Sequence, residues 1–240
     1  MRDYGDPLRF CYDYKLAKLL IKHGASPSGY IGCGLIPTLL HELCYTRRKE
    51  VIQAVLESGT AAVNIPNDKG QTAIFHAGSP EIVVLLFNAG FSVEWEDLTG
   101  FRPLHAMVSR DESLPTVKAI LETRCDPNVK DKQGRTPLHI ICIQGISDLP
   151  GDRQASNRRE MLRIRLDTIK LLADFGANFR AVDHEGKTPL ELLWIPPHED
   201  SFEEWKAIKD YLVEVLDAQV NHGFKRTRVF VEEEVDIDED

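Results

Sequence analysis

The chain has 240 residues, 42% of them hydrophobic and 28% charged. That is enough apolar material for a core, in one large domain or two ordinary ones, and 16 glycines with 13 prolines exclude collagen-like and low-complexity classes. The longest unbroken aliphatic or aromatic run, residues 82–87, is far short of the roughly 20 residues that cross a bilayer. Arg2, Asp3, Asp6 and Arg9 stand where a secretory signal would be apolar. Five cysteines without paired spacing fit a reducing compartment, so a cytoplasmic or nuclear location is expected. The net charge of −9 is localised: residues 1–198 hold 24 basic and 24 acidic side chains, residues 199–240 hold 5 and 14. A neutral body offers no basic face to nucleic acid.

In chain order, one short unit recurs. It is clearest as Gly134-Arg135-Thr136-Pro137-Leu138-His139, and returns as Gly100-Phe101-Arg102-Pro103-Leu104-His105 and Gly186-Lys187-Thr188-Pro189-Leu190-Glu191. Weaker copies are Gly70-Gln71-Thr72-Ala73-Ile74-Phe75, Thr38-Leu39-Leu40-His41 and Asp6-Pro7-Leu8-Arg9. With the Pro-Leu slot as anchor, copies start at 7, 39, 73, 103, 137 and 189. Behind the first five anchors an apolar helical pattern ends in a turn, at Gly24, Gly59, Gly90, Arg124 and Gly176. Threonine caps a short helix and proline suits its first position, where no amide donor is needed. The second helix shows apolar residues at i, i+3 and i+4, and a glycine with access to positive φ stops it.

The chain resembles the ankyrin repeat family over roughly residues 5–194, whose unit is about 33 residues with a T-P-L-H-x-A signature. The resemblance implies an all-α solenoid of helix pairs joined by finger loops. Departures are specific. The first and third units are short: Asp6 to Gly24 and Thr72 to Gly90 each span 18 residues, against about 21 in a typical unit. Arg124 replaces a glycine, which predicts a strained or reshaped turn. About 19 extra residues lie between Gly145 and Leu166. Met1 is read as heading a fragment or a degenerate cap, because the chain begins almost inside a repeat.

Pro196-Pro197 breaks the helix after Trp194, and Ser201-Phe202-Glu203-Glu204 is a capping box. Phe202, Trp205, Ile208, Leu212 and Val215 then recur with helical spacing, so residues 201–222 are predicted to form a helix covering the last unit. The predicted organisation is an array over 1–198, a C-terminal capping helix over 199–224 and an acidic disordered tail over 225–240. In the tail, Val229, Phe230 and Val231 precede three glutamates, a pattern like the motif that adds a strand to the small ubiquitin-like modifier. A solvated acidic tail is the plainer alternative.

No catalytic signature, phosphate loop or dinucleotide fingerprint is present, so no catalytic residue, cofactor or metal is expected. His41/Cys44 and His139/Cys142 have metal-compatible spacing, but each His sits in the repeat's His slot and each Cys in a small-residue slot, which favours packing. The insertion 145–165 combines a loop with a basic stretch, Arg153, Arg158, Arg159, Arg163 and Arg165. It reads as a surface loop plus a lengthened second helix, with Met161, Leu162, Leu166 and Ile169 on the apolar side; the alternative is a partner-contacting flap.

The resemblance implies a non-catalytic scaffold that binds an unidentified protein partner on its concave finger and first-helix surface, acting as a monomer without nucleic acid or membrane. The fingers fall near 67–71, 94–102, 129–135 and 182–187. The second is unusual in carrying Trp95 and Phe101 beside Arg102, the composition of a binding hot spot, with Lys69, Lys132 and Arg135 on adjacent fingers as a polar rim. The alternative for Trp95 is packing on the neighbouring finger. Rival functions are a substrate receptor of a ubiquitin ligase, an ankyrin piece of a larger signalling protein such as those of fungi, and an enzyme or enzyme regulator using His and Cys.

Overall fold

The computed structural model describes residues 7–26, 38–59, 61, 63–110, 112–143, 155–193 and 202–222. Helices are α1 (Tyr14–Lys22), α2 (Leu39–Tyr45), α3 (Lys49–Glu57), α4 (Pro80–Asn88), α5 (Pro103–Ser109), α6 (Leu114–Glu122), α7 (Pro137–Ile143), α8 (Ala155–Asp174) and α9 (Phe202–His222), with single 3-10 turns at Pro7–Phe10 and Ala73–His76. They form two rows. The inner row runs Pro7–Phe10, α2, Ala73–His76, α5, α7; the outer row runs α1, α3, α4, α6, α8, α9, each packed on the next. No strand forms among the described residues. The architecture is an all-α solenoid of helix pairs joined by finger loops.

Between the rows lies one continuous core. Leu8, Leu40, Ile74, Leu104 and Leu138, from the Leu slot of five anchors, are all at most 2% exposed, each contributing about 1.5–3 kcal/mol when fully buried. The shortening of the first and third units falls entirely on the inner element. There the seven-residue helix of units two, four and five shrinks to a four-residue 3-10 turn, while α1 and α4 keep nine residues. In the third unit Ser79 accepts from the Ile82 amide and Pro80 opens α4, so the outer helix starts three residues early.

Two arginines of the second unit cover these gaps. Arg48 lies over the Tyr12 ring at 4.0 Å, donates to its hydroxyl at 2.9 Å and donates to the Arg9 carbonyl. Arg47 turns the other way. It passes the third unit and pairs with Glu112 of the fourth at 3.1 Å. Gly78 allows this passage: a Cβ there would stand 2.5 Å from Arg47 Nε.

Arg124, in the slot of a missing glycine, adopts φ 69°, so the turn keeps its left-handed shape and accepts the strain of a side chain. The insertion lengthens α8 to 20 residues; Leu162 and Ile169 are buried, Met161 and Leu166 half-buried. Arg165 is 5% exposed, so it belongs to the core side and not to a basic flap; Arg163 is exposed. Among its described residues, up to 193, the sixth unit has an anchor and one turn after it, with the Leu192 amide donating to Thr188 O at 3.2 Å. Next in the outer row, packed on α8, comes α9, whose Trp205, Ile208 and Leu212 are each 1% exposed. The insertion loop 145–154, the side chains of Arg158, Arg159 and Phe202, Pro196-Pro197, Ser201 and the tail with Val229, Phe230 and Val231 lie outside the described residues or their described side chains.

Candidate functional site

Four fingers are built from one device. Asn67, Asp97, Asp131 and Asp183 each accept two backbone amides on one side-chain oxygen, from the residues two and four further on, at 2.8–2.9 Å. Each also donates its own amide to the carbonyl four residues on, closing a tight hairpin at 2.8–3.0 Å. Three residues after each stands a glycine with φ between 76° and 83°. The spacing Asx-x-x-Gly ahead of the Thr-Pro slot was therefore a legible signal for the fingers.

The hairpins are joined tip to tip by backbone. Leu98 donates to Lys69 O at 2.9 Å, Lys132 to Thr99 O at 3.1 Å and His184 to Gln133 O at 2.9 Å. A Cβ on Gly100 would stand 2.6 Å from Lys132 N, so the fingers touch where side chains are missing. The His slot fixes each finger to the unit before it. His139 accepts the Thr136 amide on Nδ1 at 3.1 Å, and its Nε2 meets Lys187 O at 3.1 Å. His105 does the same between the Arg102 amide (3.1 Å) and Arg135 O (3.2 Å), and His41 between the Thr38 hydroxyl (2.7 Å) and Gln71 O (2.9 Å). This geometry needs the neutral ring, with Nδ1 accepting and Nε2–H donating. Burial accordingly holds His41 and His139 below their ordinary pKa and pushes His105 down to about 4. In the sixth unit Glu191 fills the slot and accepts the Thr188 amide at 2.7 Å, doing the capping half of the task.

The candidate binding residues sit on this ladder. Trp95 is half-buried and donates its indole N–H to Gly70 O of the preceding finger at 2.8 Å. Phe101 is half-buried, stacked on the His105 ring at 5.2 Å. Arg102 pairs with Glu94 and, at 2.8 Å, with Glu96. Lys132 Nζ donates to Leu98 O at 2.8 Å, and Arg135 pairs with Asp131 at 2.7 Å. Lys69 is exposed at the first tip. The structure thus brings the six onto three consecutive fingers, with several of their polar groups already partnered. Sequence reasoning missed Leu98. It is 65% exposed, and of the eight residues between Asx and Gly in the four fingers it alone is apolar.

The His-x-x-Cys pairs do not form ligand sets. Both nitrogens of His41 and of His139 are engaged as described, and Cys44 and Cys142 are fully buried, with burial pushing the Cys142 thiol up to about 12. Among the described residues no three His, Cys, Asp or Glu side chains converge on a metal position, and no helix is long and apolar enough to cross a membrane.

Units stacked in a row, each packed chiefly on its neighbours, define a repeat solenoid, a class that recognises partners with a continuous surface. No family model matches the chain. It is 26% identical over 166 residues to the human "Ankyrin and armadillo repeat-containing protein", covering 59% of this chain and 12% of that one. Over 93 residues it is 33% identical to the zebrafish (Danio rerio) "Ankyrin repeat domain-containing protein 46", covering 34% and 41%. Over 113 residues it is 33% identical to the Arabidopsis thaliana "E3 ubiquitin-protein ligase KEG", covering 45% and 7%. The chain spans less than half the length of each of these relatives. With helix pairs, fingers and His slot in register, the chain has the repeat architecture of the ankyrin-repeat proteins it is similar to, and such repeats serve in general as protein–protein interaction scaffolds.

Proposed function

We propose that this chain is a non-catalytic, monomeric module that binds a protein partner across the fingers and inner row, centred on the second finger. The supporting observation is the tip at Leu98: an exposed apolar side chain on a backbone bonded to Lys69, with Lys132 bonded back to it. Trp95 and Phe101 widen the apolar surface, and Lys69, Lys132, Arg102 and Arg135 form its polar rim. An anchor held by hydrogen bonds loses little entropy on docking. Four buried free thiols, Cys11, Cys44, Cys125 and Cys142, support a reducing compartment, cytoplasm or nucleus.

The test is capture of the partner followed by calorimetry on folded variants. Trp95→Ala weakens binding by on the order of 2 kcal/mol or more, and Lys132→Ala alters mainly the on-rate and its salt dependence. Wild-type affinity in Trp95→Ala, with a lowered Tm, makes the tryptophan a packing residue and moves the site. The similarity to a ubiquitin ligase supports a second reading, a substrate receptor of such a ligase; co-purification of the captured partner with ligase subunits distinguishes it.

A further inference from the structure

We infer that the partner segment taken by the finger tips is acidic: an apolar residue seated on Leu98 with carboxylates on either side of it, received by Lys69 and Lys132. The inference rests on the reading of the second finger as the docking site and adds the chemistry of its occupant. The observation is an imbalance between the two signs of charge on the first three fingers. On the second and third, the carboxylates are spent. Glu94 and Glu96 both pair with Arg102, at 2.8 Å for Glu96. Asp97 accepts the amides of Thr99 and Phe101, the Thr99 hydroxyl and the Gln71 side-chain amide, all at 2.6–2.9 Å. Asp131 accepts two amides and the Arg135 guanidinium. The lysines are placed differently. Lys132 Nζ rests on the Leu98 carbonyl at 2.8 Å, and Lys130 Nζ on the Val182 carbonyl at 2.9 Å. A carbonyl is a dipole and leaves the unit charge of an ammonium uncompensated. Lys69 is exposed, and among the described residues no carboxylate forms an ion pair with any of these three lysines. Against them stands Asp68, exposed beside Lys69.

Geometry turns this imbalance into a register. The Leu98 amide donates to Lys69 O at 2.9 Å, and the Lys132 amide donates to Thr99 O at 3.1 Å. Leu98, 65% exposed, therefore stands between the two lysines on a ridge of three bonded tips. An apolar anchor between two ammonium groups is complemented by an apolar residue between two carboxylates. Past Gln133 the sign changes, because the fourth tip carries exposed Glu185, so the acidic stretch is confined to three fingers. Single-stranded nucleic acid also brings negative charge, but its bases stack on aromatic rings, and the exposed residue between these lysines is a leucine. A protein segment fits better.

The experiment uses the full chain and three labelled synthetic peptides, in which a central leucine is flanked on each side by three glutamates, three glutamines or three lysines. Fluorescence anisotropy is expected to show saturable binding of the glutamate peptide, about tenfold or more tighter than the glutamine peptide and weakened by about tenfold between roughly 50 and 500 mM salt. Serine in place of its leucine costs about tenfold or more. Lys69→Glu/Lys132→Glu moves the preference to the lysine peptide and leaves the melting temperature within about 2 °C of wild type, because both side chains are exposed. The inference is overturned by equal affinity for the three peptides, by glutamate-peptide binding unchanged in the double lysine variant, by no saturation at about 1 mM peptide, or by tighter binding of an oligothymidine of about 12 nucleotides. A gain of about tenfold on removing residues 225–240 also overturns it, by making the chain's own acidic tail the occupant. Two results separate this inference from the reading beneath it. Partner capture lost in Leu98→Asp but unchanged in Lys69→Glu/Lys132→Glu keeps the tips as the site and removes the acidic occupant. Capture that survives Leu98→Asp removes the site itself.

Discussion

Replacing Trp205 tests whether α9 completes the sixth unit. The side chain is 1% exposed between α9 and the end of the array. Truncating a buried aromatic to alanine costs about 3–5 kcal/mol. Trp205 Nε1, however, is a buried donor without a hydrogen-bond partner among the described residues, and such a group carries a penalty of about 1–3 kcal/mol that truncation removes. The net expectation for Trp205→Ala is a loss of about 2 kcal/mol, a sizeable part of an ordinary domain's stability. Trp205→Phe keeps most of the ring and deletes the unpaired N–H, so it should fall within about 1 kcal/mol of the parent. Because a solenoid unit is stabilised by its neighbours, the loss should concentrate at the C-terminal end. Urea denaturation gives the magnitude, and amide exchange across residues 186–193 and α8 gives the location. Unchanged stability and exchange in Trp205→Ala refute the role of α9 as the outer helix of that unit. Equal damage by phenylalanine and alanine refutes the accounting for the indole N–H.

The remaining predictions concern the ladder, the histidines and the fingers. Gly100→Ala meets Lys132 N at 2.6 Å and a φ of +83°, so it should cost well over the roughly 1–2 kcal/mol of backbone strain that Gly90→Ala, with open space around it, incurs alone; paired melts compare them. His105 and His76, both pushed down to about 4 by burial, bind fewer protons folded than unfolded between pH 4 and 6.5. Their contribution is complete above about pH 6.5 and is lost as pH falls toward 4, by on the order of a few kcal/mol together. Urea midpoints from pH 7 to 4 check this, and His105→Gln should flatten part of the fall. Leu98→Asp should abolish partner capture while leaving the melting temperature within about 2 °C of wild type, since the side chain is exposed; full binding removes the finger tip from the site.

The helix pairs were legible because their determinants are local. A threonine before proline, an apolar period and a glycine turn act within one unit, so six anchors could be placed and the C-terminal helix read from its stripe of Trp205, Ile208 and Leu212. The shortened units were legible as missing residues, but not which helix lost them. That depended on Ser79-Pro80 restarting α4 and on Arg47 passing over Gly78 to Glu112, a contact 65 residues apart in the chain. The candidate site divides the same way. Sequence placed Trp95, Phe101 and Arg102 on one finger, because a finger is continuous in the chain. It could not assign the Trp95 indole to Gly70 O, Lys132 to Leu98 O, or exposure to Leu98. Exposure is decided by what the next unit covers, and hydrogen-bond partners on adjacent fingers are set by the distance between units. Both are properties of the stack, which no single repeat contains.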